Sequence, residues 1–61
     1  SMLNQLFAFF GERPEELPNE YISIAWREGT ERAVCDYIAG MTDGYALKTF
    51  SKYFIPSSWQ G

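Results

Sequence analysis

Residues 30–54 form the longest run of this sequence in which apolar side chains recur with a helical repeat. Five apolar or aromatic side chains follow one another at spacings of three and four, which places them on one face of an α-helix. They are Val34, Tyr37, Ile38, Met41 and Tyr45. The pattern continues, with the apolar stripe turned around the helix axis, through Leu47, Phe50, Tyr53 and Phe54. The run therefore predicts that most of the second half of the chain is helical.

Two glycines weaken this predicted helix near its middle. Gly40 and Gly44 each cost a helix interior about 1 kcal/mol relative to alanine, and Thr42 or Asp43 between them could cap a new helix. One helix with a weak middle and two helices joined at this point are both compatible with the sequence. We favour one continuous helix, because the apolar spacing passes through the region without a change of phase. We also expect Gly40 to let a neighbouring helix approach closely.

The first part of the chain predicts a helix followed by a proline-rich loop. Residues 2–10 form an amphipathic helix that Gly11 should end. Pro14 and Pro18 interrupt any helix that runs through them, but Pro14 can begin a single helical turn over residues 14–17. Leu17 is the one apolar anchor of this loop.

Residues 20–28 alternate apolar and other side chains as a strand does, but they also present a helical face. A single strand would have no partner in this chain, so we predict a helix. Asn19 should be its N-cap and Thr30 the N-cap of the next helix. The last helix should end before Pro56, and the tail that follows has one apolar anchor, Trp59. The expected fold is all-α, a small array of three to four helices.

The chain is short and rich in aromatic side chains. Its 61 residues make at most one domain, and chains of this length bury only about 60% of their unfolded surface. Because 18% of the residues are aromatic, a core of this size cannot hide all the rings. We expect either self-association, as a homo-oligomer, or a fragment whose apolar surface meets the rest of a larger protein. Ser1 and Met2 have the form of a tag remnant, and residues 60–61 are treated as a tail.

Charge and cysteine usage exclude several classes of protein. A net charge of −3 with five scattered basic residues gives no nucleic-acid footprint, and no apolar run reaches membrane-spanning length. Cys35 is the only cysteine, which excludes an internal disulfide and fits a reducing cytoplasm. Its apolar neighbours in the sequence favour a buried, unreactive thiol.

The sequence lacks the residue types that most catalytic and metal sites need. It has no histidine, which removes the usual general base, the usual metal ligand and any serine–histidine triad. One cysteine cannot form a zinc site of the CxxC kind. The carboxylates Glu12, Glu15 and Glu16 form an acidic loop, which is typical of a solvated surface. We therefore expect no catalytic residue, no metal ligand and no cofactor in this chain.

The stretch RAVCDYIAGMTDGYAL closely resembles the C-terminal signature of the bacterial HD-domain deoxyguanosinetriphosphate triphosphohydrolase-like family. The loop with a leucine before a proline and the closing YFIPSSW extend the resemblance over residues 3–59. One departure is Gly44, where the family usually has an arginine. The resemblance implies that the chain is the C-terminal helical segment of a larger α-helical enzyme. That enzyme would hydrolyse a dNTP to the deoxynucleoside and triphosphate.

The resemblance also implies what lies outside this chain. The parent's divalent metal ion would be held by histidine and aspartate residues of an upstream HD catalytic domain. The segment would pack on that domain, help to build nucleotide and subunit contacts, and be inactive alone. The alternative is a stand-alone helical module whose only role is protein association or oligomerisation. An upstream reading frame with histidine ligands favours the first hypothesis, and a start codon at or near Met2 favours the second.

More distant HD triphosphohydrolases share a sparse pattern here, with a basic residue before a Thr-Asp pair and an aromatic residue after it. The positions that match are Arg32, Thr42, Asp43 and Tyr45. The resemblance implies that Arg32 contacts phosphate, since a guanidinium pairs well with phosphate oxygens. Asp36 and Asp43 could hold a partner arginine or a sugar hydroxyl, and Tyr37 and Tyr45 could lie under a base or sugar.

Each candidate also has a plainer interpretation. Arg32 is spaced to form an ion pair with Asp36, and such a pair stabilises a helix by about 0.3 kcal/mol. Asp43 would lie on the same helix face, and Glu28 is a second possible partner of Arg32. Asp43 could simply cap a helix. The two tyrosines could pack in the core, because they share the apolar face of the predicted helix.

Overall fold

The computed structural model describes residues 1–56, and this range contains helices and no strand. Its α-helices are α1 (Met2–Glu12), α2 (Asn19–Glu28), α3 (Thr30–Ala39) and α4 (Asp43–Phe54), and a short 3₁₀ turn spans Pro14–Glu16. The all-α prediction is confirmed, as is the choice of helix over strand for residues 20–28. The predicted tail anchor Trp59 lies outside the described residues.

Helix α1 begins at a cap that Ser1 supplies. The Ser1 Oγ accepts a hydrogen bond of 3.3 Å from the backbone N–H of Asn4. The helix passes through Gly11 and ends at the next residue, so the predicted stop at Gly11 is wrong. Pro14 explains the end of the helix, because the residue before a proline is disfavoured in the helical conformation. Arg13 accordingly leaves the helix with φ −132° and ψ 65°.

Helices α2 and α3 begin one position earlier than their predicted caps imply. Asn19 and Thr30 are the first helical residues, while Pro18 and Gly29 occupy the N-cap positions. No side chain caps either helix within the described range. Both predicted caps are therefore wrong. Gly29 has φ 98° and ψ 154°, a conformation that is essentially restricted to glycine, so the sharp turn from α2 to α3 depends on this residue.

The predicted continuous helix through residues 40–44 is wrong, because the structure has a break there. Helix α3 ends at Ala39, and α4 begins at Asp43 after a short link. Thr42 is extended, with ψ 164°, and its Oγ1 accepts a hydrogen bond of 3.1 Å from the backbone N–H of Tyr45. A glycine on each side of a good capping residue makes two helices more favourable here than one.

Gly40 closes α3 and does not admit a neighbouring helix. A Cβ placed on this glycine would meet, within 4 Å, the backbone carbonyl oxygens of Asp36 and Tyr37, at 3.6 and 3.8 Å. Both carbonyls belong to α3 itself. The expected close approach of another helix at Gly40 is therefore wrong for the part of the chain that the structure describes.

The core is built by α1 and α3 around the loop residue Leu17. Phe10 and Leu6 of α1 are fully enclosed, and Val34 and Ile38 of α3 are nearly so. Burying an apolar side chain of this size stabilises a fold by about 1.5–3 kcal/mol. Leu17 is itself 3% exposed, which confirms its role as the anchor of the proline-rich loop. The other buried hydrophobic residues are Ala33, Tyr37 and Ala46.

An aromatic cluster joins the end of α4 to α1. The ring centroid of Tyr53 lies 4.5 Å from that of Phe9 and 5.6 Å from that of Phe10. Phe54 adds an edge-on contact with Phe9 at 5.6 Å, and the Tyr53 hydroxyl donates a hydrogen bond of 3.2 Å to Glu16. Aromatic pairs of this kind contribute about 0.5–1.5 kcal/mol each beyond their buried area. The cluster therefore fixes the position of the last helix against the first.

Several large apolar side chains remain on the surface. Trp26 on α2 is 87% exposed and Leu47 on α4 is 57% exposed. The other exposed large apolar residues are Leu3, Phe7, Tyr45, Phe54 and Ile55. Cys35 is also exposed, so the predicted buried thiol is wrong. It lies about 100° around the helix from Val34, outside the buried face, and its apolar sequence neighbours are not its neighbours in space.

Candidate functional site

The structure brings together two of the predicted nucleotide-contact residues, Tyr37 and Tyr45. Their hydroxyl oxygens lie 2.9 Å apart, which is hydrogen-bonding distance, and their rings meet edge to face with centroids 6.2 Å apart. Tyr37 is 9% exposed, whereas Tyr45 is 46% exposed. Core packing therefore describes Tyr37 but not Tyr45. The pair reaches from the core to the surface at the junction of α3 and α4.

The environment of this pair keeps Tyr37 protonated. Burial raises the pKa of the Tyr37 hydroxyl well above its ordinary value of 10.0, and the hydrogen bond with Tyr45 raises this pKa further. The nearby Thr49 hydroxyl acts in the opposite direction and lowers the pKa of Tyr37 by less. Each tyrosine hydroxyl carries one proton, and the bond between them uses one of the two. The second O–H is therefore available to donate to another group.

Arg32 and Asp36 form an ion pair on the exposed face of α3. The Arg32 Nε lies 3.3 Å from each carboxylate oxygen of Asp36. The two side chains are 62% and 42% exposed, and exposed helix pairs at this spacing contribute only about 0.3–0.5 kcal/mol. The pairing that the spacing predicts is confirmed. Arg32 thus pairs with its helix neighbour Asp36 in the structure, and the contact of Arg32 with phosphate stays a prediction.

Asp43 lies at the start of α4, on a different helix from Arg32 and Asp36. The face that these three residues were expected to share does not exist, because the chain breaks between them. Asp43 is exposed in the first turn of α4, where the helix dipole favours a negative charge. The cap of α4 is Thr42, so the predicted capping role of Asp43 is wrong.

An open groove of about 890 Å³ runs along α4 and begins at the tyrosine pair. Its volume falls in the range of small-molecule sites, which is about 300–1,000 Å³. The lining residues are Tyr37, Tyr45, Lys48, Thr49, Ser51, Lys52, Tyr53, Phe54, Ile55 and Pro56. No carboxylate lines this groove among the residues that the structure describes. The candidate site is therefore aromatic at its walls and cationic in its charge.

Lys48 and Lys52 are the site residues that reasoning from the sequence missed. Tyr45, Lys48 and Lys52 follow one another at steps of three and four, and Thr49 and Tyr53 follow Tyr45 at steps of four. Helix α4 therefore presents all five on one side. That spacing was the available signal. It was obscured because the same stretch also carries an apolar series, which drew the interpretation toward packing.

Other functional features are absent from the described part of the chain. Residues 1–56 contain no group of three or more histidine, cysteine or acidic side chains that could hold a metal ion. Within the same range, no helix combines the length and the apolar character needed to cross a bilayer.

Together these features define a small all-α domain with an aromatic, cationic groove. The chain belongs to the phosphohydrolase-associated domain family, which matches residues 1–52. The family resemblance seen in the sequence is confirmed by similar proteins.

Three relatives illustrate this similarity, and each is named deoxyguanosinetriphosphate triphosphohydrolase-like protein. The chain is 47% identical to one from Caldanaerobacter subterraneus over 95% of its own length and 17% of the relative's. It is 48% identical to one from Geobacter sulfurreducens over 88% and 14% of the two lengths. It is 50% identical to one from Deinococcus radiodurans over 79% and 13%. The chain thus spans less than a fifth of these relatives, and no solved structure matches it.

Proposed function

We propose that this chain is the C-terminal helical part of a metal-dependent dNTP triphosphohydrolase. The observation that carries the proposal is the match of nearly the whole chain to proteins named as triphosphohydrolase-like. The reaction of the parent adds water to a dNTP and releases the deoxynucleoside and inorganic triphosphate. A divalent metal ion in an upstream HD domain supplies the chemistry, and the parent acts in the cytoplasm.

In this proposal the chain supports the catalytic domain and does not catalyse alone. Its surface suits that role, because Trp26 and Leu47 are large apolar side chains left in contact with water. Large apolar side chains that are this exposed become buried if a partner covers them, which lowers the free energy of the complex. The partner here is the HD domain of the same protein, and further contacts assemble copies of the parent into a homo-oligomer.

The chain would also contribute nucleotide contacts. Tyr45 is the best placed of the candidates, since it is half exposed and its hydroxyl lies beside that of the buried Tyr37. Arg32 and Asp36 would act as a pair whose arginine turns from the carboxylate to a phosphate when nucleotide binds. Asp43 would hold a sugar hydroxyl or an arginine of the catalytic domain.

The decisive experiment incubates the full-length protein with dGTP and Mn²⁺ and analyses the products by ³¹P NMR and chromatography. We expect equal amounts of deoxyguanosine and inorganic triphosphate. Release of pyrophosphate or orthophosphate instead, or no turnover of any dNTP, would reject the proposal. The 61-residue chain alone should release no product.

The site assignment is tested in the full-length protein with Arg32→Ala and with Arg27→Ala as its control. Both arginines are exposed helix residues, so the two substitutions remove the same charge and similar surface. We expect Arg32→Ala to raise the KM for dNTP, or to weaken nucleotide-dependent assembly, and Arg27→Ala to do neither. Equal kinetics for both variants would remove Arg32 from the site.

A second candidate function is a stand-alone association module. It is favoured by the exposed aromatic and aliphatic side chains, above all Trp26. Sedimentation of the 61-residue chain separates the two ideas in part. A discrete, stable oligomer that persists when the HD domain is supplied in trans would favour the module, whereas transfer of the chain to the HD domain would favour the enzyme.

A further inference from the structure

We propose that the groove along α4 is a polyphosphate-binding subsite in which Lys48 and Lys52 are the principal cations. The inference deepens the proposed function, because triphosphate is both a part of a dNTP and the product of its hydrolysis. It rests on the groove's charge, on the spacing of its cations and on its remaining hydrogen-bond donors.

The groove departs in charge from the rest of the molecule. The chain carries eight acidic and five basic residues, for a net charge of −3. The groove holds Lys48 and Lys52 and, within the described residues, is lined by no carboxylate. At the edge of the groove, the carboxylate of Glu16 accepts a hydrogen bond from the hydroxyl of Tyr53, which lines it. Outside the groove the chain carries eight acidic residues and three arginines, so among the residues that the structure describes the groove is a region that attracts an anion.

The two lysines are spaced so that one anion can contact both. They lie four residues apart on α4, which is about 6 Å along the helix axis. Like charges at this spacing destabilise a helix by about 0.2–0.5 kcal/mol, and no acidic side chain of the groove relieves their repulsion. A chain of phosphate groups carries several charges in a row, so it can neutralise both ammonium groups at once.

The other polar groups of the groove define where the anion lies. Lys52 makes a cation–π contact with Tyr53, because its Nζ lies 5.2 Å from the centroid of that ring, and this contact holds the ammonium group in the groove. Thr49 is already engaged, since its hydroxyl donates a hydrogen bond of 2.9 Å to the backbone carbonyl of Tyr45. The tyrosine pair keeps one hydroxyl proton that its mutual bond does not use. The phosphate chain therefore runs from this hydroxyl along Lys48 to Lys52.

The test uses the 61-residue chain labelled with ¹⁵N and titrated with sodium tripolyphosphate, with dGTP and with deoxyguanosine, in separate experiments at constant ionic strength. We expect tripolyphosphate and dGTP to shift the amide signals around Lys48 and Lys52, and deoxyguanosine to leave these signals unchanged. The variant Lys48→Gln/Lys52→Gln should weaken tripolyphosphate binding by about a hundredfold or more, because it removes two charge-assisted hydrogen bonds that each contribute about tenfold.

The control variant is Arg13→Gln/Arg27→Gln, which removes the same charge from the part of the chain outside the groove. It should leave tripolyphosphate affinity within about twofold, the scale of a screened long-range charge. Equal loss in both double variants would show general attraction to a less negative protein and overturn the proposal. So would tripolyphosphate binding that leaves the amide signals of the groove residues of α4 unchanged, or binding of deoxyguanosine without tripolyphosphate.

A second measurement covers the case in which the isolated chain does not fold. The same two double variants are then prepared in the full-length protein, and tripolyphosphate binding is measured by calorimetry, with the same expected and contrary results. This outcome is independent of catalysis. A full-length protein that binds tripolyphosphate through these lysines but releases other products from dGTP would reject the proposed function and keep the subsite.

Discussion

The hydroxyl oxygens of Tyr37 and Tyr45 lie 2.9 Å apart and connect α3 to α4 across the break in the chain. Because Tyr37 is buried and Tyr45 is half exposed, this bond links the core to the groove. The position of the groove's first side chain is thereby set by a residue of the core. Changes in the protonation of Tyr37 should affect both the stability of the fold and the geometry of the groove.

Tyr37→Phe should reduce the loss of stability at alkaline pH. The pKa of Tyr37 is raised in the folded state by burial and by Tyr45, so above pH 10 the folded protein retains a proton that the unfolded chain loses. The stability that depends on neutral Tyr37 is thus complete below about pH 10 and decreases as the pH rises through the folded pKa, by up to about 1.4 kcal/mol per pH unit. Urea unfolding followed by circular dichroism from pH 8 to 11 measures the free energy of unfolding of Tyr37→Phe and of the parent sequence at each pH.

The control for this experiment is Tyr21→Phe. The Tyr21 ring also contacts Tyr37, with centroids 5.0 Å apart, but this substitution keeps the bond between Tyr37 and Tyr45. The unfolding midpoint of the control should fall with pH as that of the parent sequence does. If Tyr37→Phe falls just as steeply, the raised pKa does not contribute to stability.

Phe10→Ala should unfold the isolated domain, whereas Phe7→Ala should not. Phe10 is 1% exposed and Phe7 is 39% exposed, on the same helix. Truncating a buried phenylalanine costs about 3–5 kcal/mol, which is comparable with the whole stability of a domain of this size at roughly 0.05–0.15 kcal/mol per residue. The far-ultraviolet circular dichroism of both variants, with and without urea, provides the measurement. A small and equal effect of both substitutions would contradict the observed core.

Thr42→Ala should destabilise the domain by about 1 kcal/mol, the usual value of an N-cap side chain. Its Oγ1 accepts the hydrogen bond from the backbone N–H of Tyr45 at 3.1 Å. Thr30→Ala is the matched control, because Thr30 is the first residue of α3 and does not cap it, and its effect should stay within about 0.5 kcal/mol. Equal shifts in the urea midpoint would mean that the break between α3 and α4 does not depend on the cap.

Gly44→Ala and Gly29→Ala should change stability in opposite directions. Gly44 lies in α4 with open space where a Cβ would be, so alanine should stabilise the helix by about 0.5–1 kcal/mol. Gly29 has φ 98°, and alanine there should cost about 1–3 kcal/mol. Thermal unfolding of the two variants is the measurement. Destabilisation by Gly44→Ala would show that this position is not the open helical site described.

The regular parts of the fold were predictable because each depends on local chemistry. Leu17 was predictable as the anchor of the proline-rich loop because it is the one apolar side chain there. The end of the last helix was predictable because the residue before Pro56 is disfavoured in the helical conformation. The break after Ala39 was not predictable from apolar spacing, since a short link can carry the same spacing of three and four into a new helix. The cap at Thr42 was visible in the sequence, but the sequence did not show that the cap and the two glycines together outweigh the helical hydrogen bonds lost at the break.

The candidate site was predictable only in part, for a related reason. Tyr37 and Tyr45 were both singled out by family resemblance, yet their direct contact depends on the direction in which α4 leaves the break. Lys48 and Lys52 were missed, because their spacing overlaps an apolar series and does not itself show that the acidic side chains lie elsewhere. Cys35 was wrongly placed in the core for the opposite reason, since apolar neighbours along the chain do not enclose a side chain that points away from them.

The contact between Phe9 and Tyr53 has a consequence for biosynthesis. Phe9 is synthesised well before Tyr53, the residue whose ring covers it and which lies 44 positions further along the chain. Until then the nascent chain displays an uncovered aromatic surface of the kind that aggregates and that chaperones bind. A chain truncated before Tyr53 should therefore keep this aromatic surface uncovered and aggregate, whereas a chain truncated after Pro56 keeps the covering ring.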